Sequence, residues 1–271
     1  MIIQNPAGDC VQLYSDITYR IALVIWFLSA LISFFTLAFL KTAPYGRHFN
    51  THSNLLSNYT MRTDLAWILQ ESPNLIIPPM YLYFHSHCFH FTSSSGLLFS
   101  LFFIHYFQRT LMYPLLMKSP FKPTPVFICI LCLIWCTINA FLITKGITFT
   151  DSKPRDPIRV SFGILLWTIG FYINMQSDHI LRKLRVTDTK NEYLIPHGFL
   201  FEFVSCPNYL GEIIEWIGFA IAAQNVYAAW IFAFWTIANL APRAIHHHKW
   251  YLLHFTEYKS LHRTALLPFV L

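Results

Sequence analysis

The stretch Asn208-Tyr-Leu-Gly-Glu-Ile-Ile-Glu-Trp216 decides the fold class, because it sets two carboxylates into an otherwise apolar run. An ionised carboxylate in hydrocarbon costs on the order of 3 kcal/mol, so such residues usually face a protein interior and have polar partners there. We interpret the stretch as part of a transmembrane helix in a bundle with a polar interior. We expect Glu212 to face that interior site and Glu215 to have a packing role.

Composition extends this interpretation to the whole chain. Hydrophobic residues make up 55% of the 271 residues and charged residues only 12%, whereas soluble domains carry about 25% charged residues. The cations behind the net charge of +6 are dispersed between apolar runs. That pattern is typical of cytosolic loops and argues against a nucleic-acid partner. The sequence predicts one all-α integral membrane domain, residues 1–271, in a lipid bilayer.

Seven apolar segments approach the length of about 20 residues that a helix needs to cross a bilayer. They are Ile17–Leu40, Leu65–Phe84, Leu97–Met117, Pro125–Thr144, Val160–Ile180, Tyr209–Ala229 and Ala228–Ala244. We predict a bundle of seven transmembrane helices, with six as the alternative because the last two segments nearly abut. The first apolar run is too long for a signal peptide, so we interpret it as a retained span.

Basic residues predict the orientation of the bundle. Lys and Arg cluster after the first, third and fifth segments and in the C-terminal tail, whereas residues 85–96 contain none. Cytosolic loops carry the excess of Lys and Arg in membrane proteins. The N-terminus is therefore predicted to lie outside the cytosol, and the C-terminus in the cytosol.

Clustered histidines and cysteines raise the possibility of a metal oxygenase. His85, His87 and His90 form one cluster and His246 to His248 another, but the predicted topology puts them on opposite faces of the membrane. The cysteines at 129, 132 and 136 have no accompanying second group of ligands, which a zinc site would require. We predict no metal site. The glycines form neither a Rossmann nor a P-loop motif, so neither turn would hold a nucleotide.

Three helices instead carry polar residues at helical spacing, which places each set on one stripe. The fifth segment carries Asn174, Asp178, Arg182 and Arg185; the sixth carries Asn208, Glu212 and Glu215; the last carries Arg243, His247 and Tyr251. A local ion pair of Asp178 with Arg182 would explain the charges but not the intramembrane Asn174. We favour a convergent cavity of dinucleotide size, in which Arg contacts phosphate.

The N-terminal half offers a second polar group. Trp67 and Glu71 are one turn apart in the second segment, and Tyr106, Arg109 and Tyr113 share a stripe of the third. Prolines 73, 78 and 79 are predicted to interrupt the helix beside Glu71, and such a break is tolerated at depth only beside protein or a cavity. The aromatic surroundings favour a flat, lipophilic substrate.

Together these motifs closely resemble the steroid 5α-reductases, the 3-oxo-5α-steroid 4-dehydrogenases of the endoplasmic reticulum. The resemblance covers nearly everything after the first span. It is carried by YGRH at residues 45–48, AWILQESP at 66–73, HYFQRT at 105–110, NMQSDHILRKLR at 174–185, FEFVSCPNYLGEIIEWIGFA at 201–220, RAIHHHKWY at 243–251 and LLPFVL at 266–271.

The resemblance implies reduction of the Δ4 double bond of 3-oxo-steroids by NADPH, in a monomer of the endoplasmic reticulum membrane with a lumenal N-terminus. It implies catalytic roles for Glu71 and Tyr106, and steroid contacts from Tyr45, Trp67 and Tyr113 besides. The cofactor residues that it implies are Asn174, Asp178, Arg182, Arg185, Tyr193, Asn208, Glu212, Arg243, His247 and Tyr251. Residues 17–150 would then form mainly the substrate side, and residues 151–271 mainly the cofactor side.

The chemistry of an enone agrees with these roles. Hydride addition at the β carbon requires stabilisation of the developing enolate oxygen, which Tyr106 and a protonated Glu71 could provide as donors. Three alternatives are a related reductase of polyprenol or enoyl-CoA lipids, a membrane methyltransferase that uses S-adenosylmethionine, and a receptor or carrier that binds a lipid without turnover. The last two would leave the Arg182 and Arg185 pair without phosphate partners.

Overall fold

The computed structural model describes residues 16–40, 59–86, 94–117, 123–150, 155–187 and 193–269, and these residues are predominantly helical. The helices are α1 (Ile17–Phe35), α2 (Thr63–Glu71), α3 (Pro73–Phe84), α4 (Ser94–Phe107), α5 (Val126–Phe149), α6 (Pro157–Thr187), α7 (Pro207–Ala223) and α8 (Tyr227–His254). Wide π-helical turns continue α1 over Thr36–Leu40 and α4 over Gln108–Met112, and the latter leads into a last turn, Tyr113–Leu115. Short 3-10 turns occupy Phe199–Glu202 and Thr256–Leu261.

Four of the described helical stretches are long and apolar enough to cross a membrane: Ile17–Leu40, Val126–Phe149, Pro157–Leu184 and Tyr227–His254. They contain or overlap the first, fourth, fifth and seventh predicted spans. The other three predicted spans correspond to shorter or interrupted helices, namely α2 with α3, α4 with its extension, and α7. The all-α membrane class is confirmed, while the number of seven spans stays a prediction.

One predicted span boundary is wrong, and one helix is longer than its predicted span. The sixth segment was expected to reach Ala229, but α7 ends at Ala223 because Gln224 has a positive φ of 51°, which a right-handed helix cannot contain. The last helix then continues well beyond the predicted Ala244, to His254. Its polar stripe therefore lies within one continuous helix.

The predicted proline break is only partly correct. Helix α2 ends and α3 begins at Ser72, whose backbone keeps helical dihedral angles, and Pro73 occupies the first turn of α3, where a missing N–H costs nothing. Pro78 and Pro79 lie inside α3, and the helix continues through both. Glu71 is thus the last residue of α2, immediately before this interruption.

A two-stranded ribbon precedes α2 and α5. Strand β1 (Thr60–Arg62) pairs antiparallel with β2 (Pro123–Pro125), and each strand leads directly into a helix. Farther along, the Cys129 thiol donates to the Ala66 carbonyl at 3.5 Å, which joins α5 to α2. The ribbon therefore fixes the start of α2, which ends in Glu71, and of α5, which contacts Glu71 through Cys136.

Glycines bring α6 and α7 into backbone contact. A Cβ placed on Gly163 would lie 2.5 Å from the Ala222 nitrogen, and one on Gly211 would lie 2.5 Å from the Asn174 nitrogen. A Cβ on Gly170 would collide with the backbone of α7 in the same way. Small residues permit such close approach of helices in membranes. The contact holds the polar stripes of α6 and α7 against each other.

Aromatic side chains form the core beside this helix pair. Trp26, Trp135 and Trp235 join α1, α5 and α8, with ring centroids 5.2 to 5.4 Å apart. Trp216 of α7 lies 4.4 Å from the Phe232 ring of α8 and is almost fully buried. Offset and tilted aromatic pairs of this kind add to the energy of burial. The apolar core therefore surrounds the polar stripes.

The C-terminal segment folds back over the start of α7. The Ser205 hydroxyl lies 2.7 Å from both His248 Nδ1 and the Tyr258 hydroxyl, and it donates to the Thr264 carbonyl at 3.1 Å. Arg263 is buried and donates to the Pro196 carbonyl at 2.7 Å. These contacts hold the segment that precedes α7 against the end of α8.

Candidate active site

Asn174 joins two of the predicted polar stripes. Its amide nitrogen donates to the Asn208 carbonyl at 3.0 Å and lies 3.5 Å from Glu212 Oε2. The side chain is almost fully buried, so these contacts satisfy a donor that would otherwise be costly inside the bundle. The spacing argument is therefore correct in bringing residues 174, 208 and 212 together.

Arg109 is the residue that the sequence interpretation left out of its site. Its guanidinium lies 3.4 Å from the Asp178 carboxylate and 3.6 Å from that of Glu212. The same group lies 4.7 Å from the Trp67 ring and 5.0 Å from the Tyr113 ring. Arg109 thus touches both the predicted substrate group and the predicted cofactor group. An arginine in the middle of an apolar span was the signal that could have found it.

One ion pair of Asp178 runs between helices. The alternative drawn from sequence was a pair within α6, with Arg182. The structure shows a partner of Asp178 on the helical extension of α4. Because Asp178 is only 3% exposed, this pair is largely shielded from water, and shielding strengthens the attraction between the charges.

Glu71 and Tyr106 come from neighbouring helices. The Thr110 hydroxyl donates to the Glu71 carbonyl at 3.4 Å, and Tyr106 lies one turn before Thr110 on the same helical face. The Cys136 thiol of α5 donates to Glu71 Oε2 at 3.6 Å. Glu71 is half-buried, whereas Tyr106 is 3% exposed. The two residues predicted to be catalytic therefore border one region, which also lies within electrostatic reach of Arg109.

Behind Tyr106 lies a buried pair of side chains. His105 Nδ1 and Glu215 Oε1 are 2.7 Å apart, and both side chains are almost completely excluded from solvent. The Trp216 ring lies 4.5 Å from the His105 ring and 5.9 Å from the Tyr106 ring. The pair joins α4 to α7 next to the predicted catalytic tyrosine, an arrangement compatible with the packing role expected for Glu215.

Arg182 stands at the open end of the α6 stripe. Its Nη1 atom is buried and has no hydrogen-bond partner among the described residues, although the guanidinium lies 5.9 Å from the Tyr113 ring. A buried guanidinium nitrogen needs an acceptor, and phosphate matches the planar fork of arginine well. The side chain of Arg185 and the whole of Tyr45 lie outside the described residues.

The stripe of the last helix extends the site toward the C-terminal segment. His247 Nε2 lies 3.3 Å from the Tyr209 hydroxyl at the start of α7. The Tyr251 ring stacks on Tyr258 at 4.9 Å, and Tyr193 lies against Trp250 at 5.1 Å. His247 thus borders the start of α7, and these ring contacts of Tyr193 and Tyr251 lie at the end of α8 and just after it. Arg243 lies near Cys132 of α5.

The described residues contain no group of three or more His, Cys, Asp and Glu side chains that could hold a metal ion. Two of the three histidines of the first cluster, His87 and His90, lie outside the described residues. The absence of a metal site in the whole chain therefore stays a prediction.

Comparison with known proteins decides the family. A sequence profile described as 3-oxo-5-alpha-steroid 4-dehydrogenase matches residues 122–271. The chain is 39% identical over 233 residues to human 3-oxo-5-alpha-steroid 4-dehydrogenase 1, covering 83% of this chain and 85% of that protein. It belongs to the 3-oxo-5-alpha-steroid 4-dehydrogenase family.

Two further relatives extend the similarity across kingdoms. Human 3-oxo-5-alpha-steroid 4-dehydrogenase 2 is 36% identical over 240 residues, which cover 85% of this chain and 89% of the relative. A steroid 5-alpha-reductase of Arabidopsis thaliana is 36% identical over 237 residues, covering 84% of this chain and 87% of the relative. The resemblance drawn from the sequence motifs is thus confirmed at the level of the family. The prediction that the chain is an oxidoreductase is confirmed as well, and the receptor and methyltransferase alternatives are not supported.

Proposed function

We propose that this chain reduces the Δ4 double bond of 3-oxo-steroids to 5α-reduced 3-oxo-steroids, with NADPH as the reductant. The observation that carries the proposal is the position of Arg109. It contacts Trp67 and Tyr113 on one side and Asp178 and Glu212 on the other. A reaction between a lipophilic substrate and a dinucleotide requires two such groups side by side, because the reacting atoms must be held in contact.

The residues of α6 and α7 suit a dinucleotide that carries phosphates. The buried Arg182 nitrogen without a protein acceptor supports an anionic ligand at that point, and Arg185 follows one turn later in the sequence. The extra 2′-phosphate of NADPH needs cationic partners, which favours NADPH over NADH. Asn174, Asn208 and Glu212 would hold the polar remainder of the cofactor. When bound, the nicotinamide supplies the hydride.

Further contacts with the cofactor would come from α8 and the segment beside it. The residues proposed to bind the cofactor there are Tyr193, Arg243, His247 and Tyr251, and Asp178 of α6 is proposed to contribute as well. Asp178 would act through its contact with Arg109, which orients the guanidinium at the border of the two groups. Tyr45, Trp67 and Tyr113 would hold the flat faces of the steroid, because aromatic rings provide large apolar contact area.

Glu71 and Tyr106 would polarise the carbonyl of the enone. As hydride adds to the β carbon, negative charge develops on the carbonyl oxygen, and preorganised donors stabilise that charge most when the site excludes water. The Tyr106 hydroxyl and the protonated Glu71 carboxyl are the proposed donors. Contact of Tyr106 with Phe102 at 4.6 Å and with Trp216 would hold its ring in place, so that little reorganisation accompanies the reaction.

The proposed cellular setting is supported by the membrane helices, the basic loops and the family. We place the chain in the endoplasmic reticulum membrane as a multi-pass monomer, with its N-terminus in the lumen and its C-terminus in the cytosol. The α6 end that carries Arg182 then faces the cytosol. Glycosylation sites introduced near either terminus test the orientation, because only lumenal sites become modified.

Product analysis tests the proposed function. Membranes that contain the chain are incubated with a panel of 3-oxo-Δ4-steroids, including testosterone and progesterone, and with NADPH deuterated at the transferred position. Mass spectrometry should find a product heavier by two hydrogens, one of them deuterium at the β carbon. Polyprenol and enoyl-CoA substrates serve as comparison. Reduction of these lipids with no steroid product would overturn the steroid assignment.

A further inference from the structure

Two buried asparagines near the Glu71 and Cys136 contact lack good hydrogen-bond partners among the described residues. Asn74 of α3 is 0% exposed and Asn139 of α5 is 1% exposed. Within the described part of the chain, neither polar atom of the Asn139 amide nor the oxygen of the Asn74 amide has a hydrogen-bond partner, and the Asn74 nitrogen has only the weakly accepting Cys136 sulfur beside it. These amides are poorly satisfied for an apolar bundle, because nearly all buried polar groups of native proteins are hydrogen-bonded.

The two amides lie on neighbouring helices, just beyond the contact of Glu71 with Cys136. Helices α2 and α3 contact α5 in matching order: Ala66 meets Cys129, Glu71 meets Cys136, and the Tyr81 ring meets Phe141 at 5.7 Å. The helices therefore run parallel, and positions 74 and 139 both fall between the second and third contacts. Asn74 also lies beside the Cys136 thiol, and Asn139 is one turn beyond Cys136 on α5.

We propose that Asn74 and Asn139 bind internal water, and that this water and Cys136 form a polar chain that ends at Glu71. Buried waters typically make about three hydrogen bonds to polar groups that the protein leaves unsatisfied, and the two amides supply both donors and acceptors. The Cys136 thiol already donates to Glu71 Oε2 at 3.6 Å. The chain would approach Glu71 from the α5 side and leave Oε1 for the substrate.

The chemistry of the reaction gives this water a role, and this part of the inference rests on the proposed function. Each turnover adds hydride to the β carbon and consumes one proton, which must come from solvent. If Glu71 gives its proton to the enolate oxygen, the resulting enol becomes the ketone by taking a solvent proton at the α carbon and releasing its O–H proton to solvent. Glu71 must then regain one solvent proton, so each turnover consumes the hydride and one proton in all. The water held by the asparagines would relay this solvent proton to the Cys136 thiol, which passes its own proton to Glu71 and takes the relayed one. Asn74 and Asn139 are thus positioning residues for a proton path.

Substitution of each asparagine by leucine tests the site. If the amides bind water, Asn74→Leu and Asn139→Leu should lower kcat about tenfold, the equivalent of roughly one hydrogen bond, with an unchanged KM for NADPH. The pH profile should also change: kcat should begin to fall at a lower pH than in the parent, because slow proton return becomes limiting as protons become scarce. Asn74→Ser keeps a polar group and leaves room for water, so it should retain most of the parent kcat.

Thr144→Val is the matched control. The Thr144 hydroxyl is likewise buried on α5 without a hydrogen-bond partner among the described residues, but it lies farther along the helix from Cys136. This variant should keep the parent kcat and pH profile. A loss of kcat in Thr144→Val equal to that in Asn139→Leu would overturn the proposal, because it would reduce the effect to general disturbance of α5.

Thermal stability of the purified protein in detergent tests the water site without any steroid turnover. If the amides are buried without water, replacement by leucine should raise the Tm, because the apolar side chain removes a desolvation cost. If the site holds water, leucine should lower the Tm and Asn74→Ser should lower it less.

The proposal would be overturned if both leucine variants kept the kcat of the parent, or if leucine raised the Tm. Should the leucine variants fail to fold, Asn74→Ser and Asn139→Ser decide it: serine must retain most of the kcat. A parent chain that reduces no steroid would instead contradict the proposed function, and the stability comparison would still decide the water site.

Discussion

The guanidinium of Arg109 lies 3.4 Å from the carboxylate of Asp178 and thereby joins α4 to α6. Its second terminal nitrogen lies 3.6 Å from Glu212 on α7. One cation therefore compensates two acidic side chains from different helices. The arrangement explains how carboxylates can be tolerated in an apolar bundle, because buried charges persist where they are paired.

Removal of Arg109 should destabilise the protein strongly. The guanidinium is only 14% exposed, and breaking a buried pair by deleting one partner costs about 3–5 kcal/mol. Arg109→Met should therefore lower the Tm in detergent. Addition of Asp178→Asn to this variant should restore part of the lost Tm, because it removes the unpaired carboxylate. Arg159→Ala is the control, because its pair with Asp156 is mostly exposed and such pairs contribute about 0–1 kcal/mol. Equal Tm values for Arg109→Met and the parent would contradict this account of the ion pair.

Loss of the proposed phosphate contacts should weaken NADPH selectively. A charge-assisted hydrogen bond is worth about 1.5–3 kcal/mol, so Arg182→Ala and Arg185→Ala should each raise the KM for NADPH about 10- to 100-fold. The KM for the steroid should change little. Lys183→Ala, on the exposed side of the same helix, should leave both constants unchanged. Similar increases for cofactor and steroid would show that these variants disturb the fold instead.

Substitution of the two glutamates in the 208–216 stretch should have different effects. Glu212→Ala should abolish steroid reduction while the detergent-extracted protein stays folded, because Glu212 is proposed to hold the cofactor. Glu215→Ala should lower the Tm, because it leaves the buried His105 ring without its partner at 2.7 Å. Full activity in Glu212→Ala would remove that residue from the proposed cofactor site.

Acid should weaken the contact between the segment before α7 and the C-terminal segment. The Gly198 N–H donates to the Glu202 carboxylate and holds its pKa below the ordinary value of 4.5, with Arg263 acting in the same direction. A lowered pKa in the folded state means that the contribution is present above the unfolded pKa and is lost as the pH falls through the folded value. Glu202→Gln should therefore lower the Tm at about pH 6, and the difference from the parent should shrink as the pH falls below 4.5 and vanish once the pH is below the lowered folded-state pKa. A difference that stays constant with pH would contradict the charge effect.

Periodicity predicted the polar stripes because helical geometry fixes which residues share a face. Asn174, Asn208 and Glu212 were expected on facing stripes, and Asn174 contacts both of the others. The number of residues per turn is the same in any α-helix, so this part of the candidate site required no knowledge of the tertiary fold. The apolar segments likewise indicated the long helices, because the thickness of a bilayer sets their length.

Contacts between helices could not be read from the same pattern. Arg109 was placed on a stripe with Tyr106 and Tyr113, but its pairing with Asp178 depends on how α4 approaches α6. The end of α7 at Ala223 depends on the positive φ of Gln224. A glycine at that position would have indicated such a conformation, whereas a glutamine does not. The close contact of α6 and α7 had a signal, since Gly163 and Gly170, like Gly211 and Gly218, lie seven residues apart, two helical turns along one face.

The most direct test of the proposed catalytic pair is the kcat/KM of Tyr106→Phe for a 3-oxo-Δ4-steroid at saturating NADPH. The change deletes one hydroxyl and keeps the ring that packs on Phe102 and Trp216. Removal of one donor to a developing oxyanion typically costs about 10²–10³ in rate, so kcat/KM should fall by that factor while NADPH binding is retained. If Glu71 only donates a hydrogen bond, Glu71→Gln should keep much more activity than Glu71→Ala. If Glu71 transfers its proton to the enolate oxygen, as the proton path requires, both variants should be similarly inactive. A Tyr106→Phe enzyme with the parent kcat/KM would contradict the proposed donor pair.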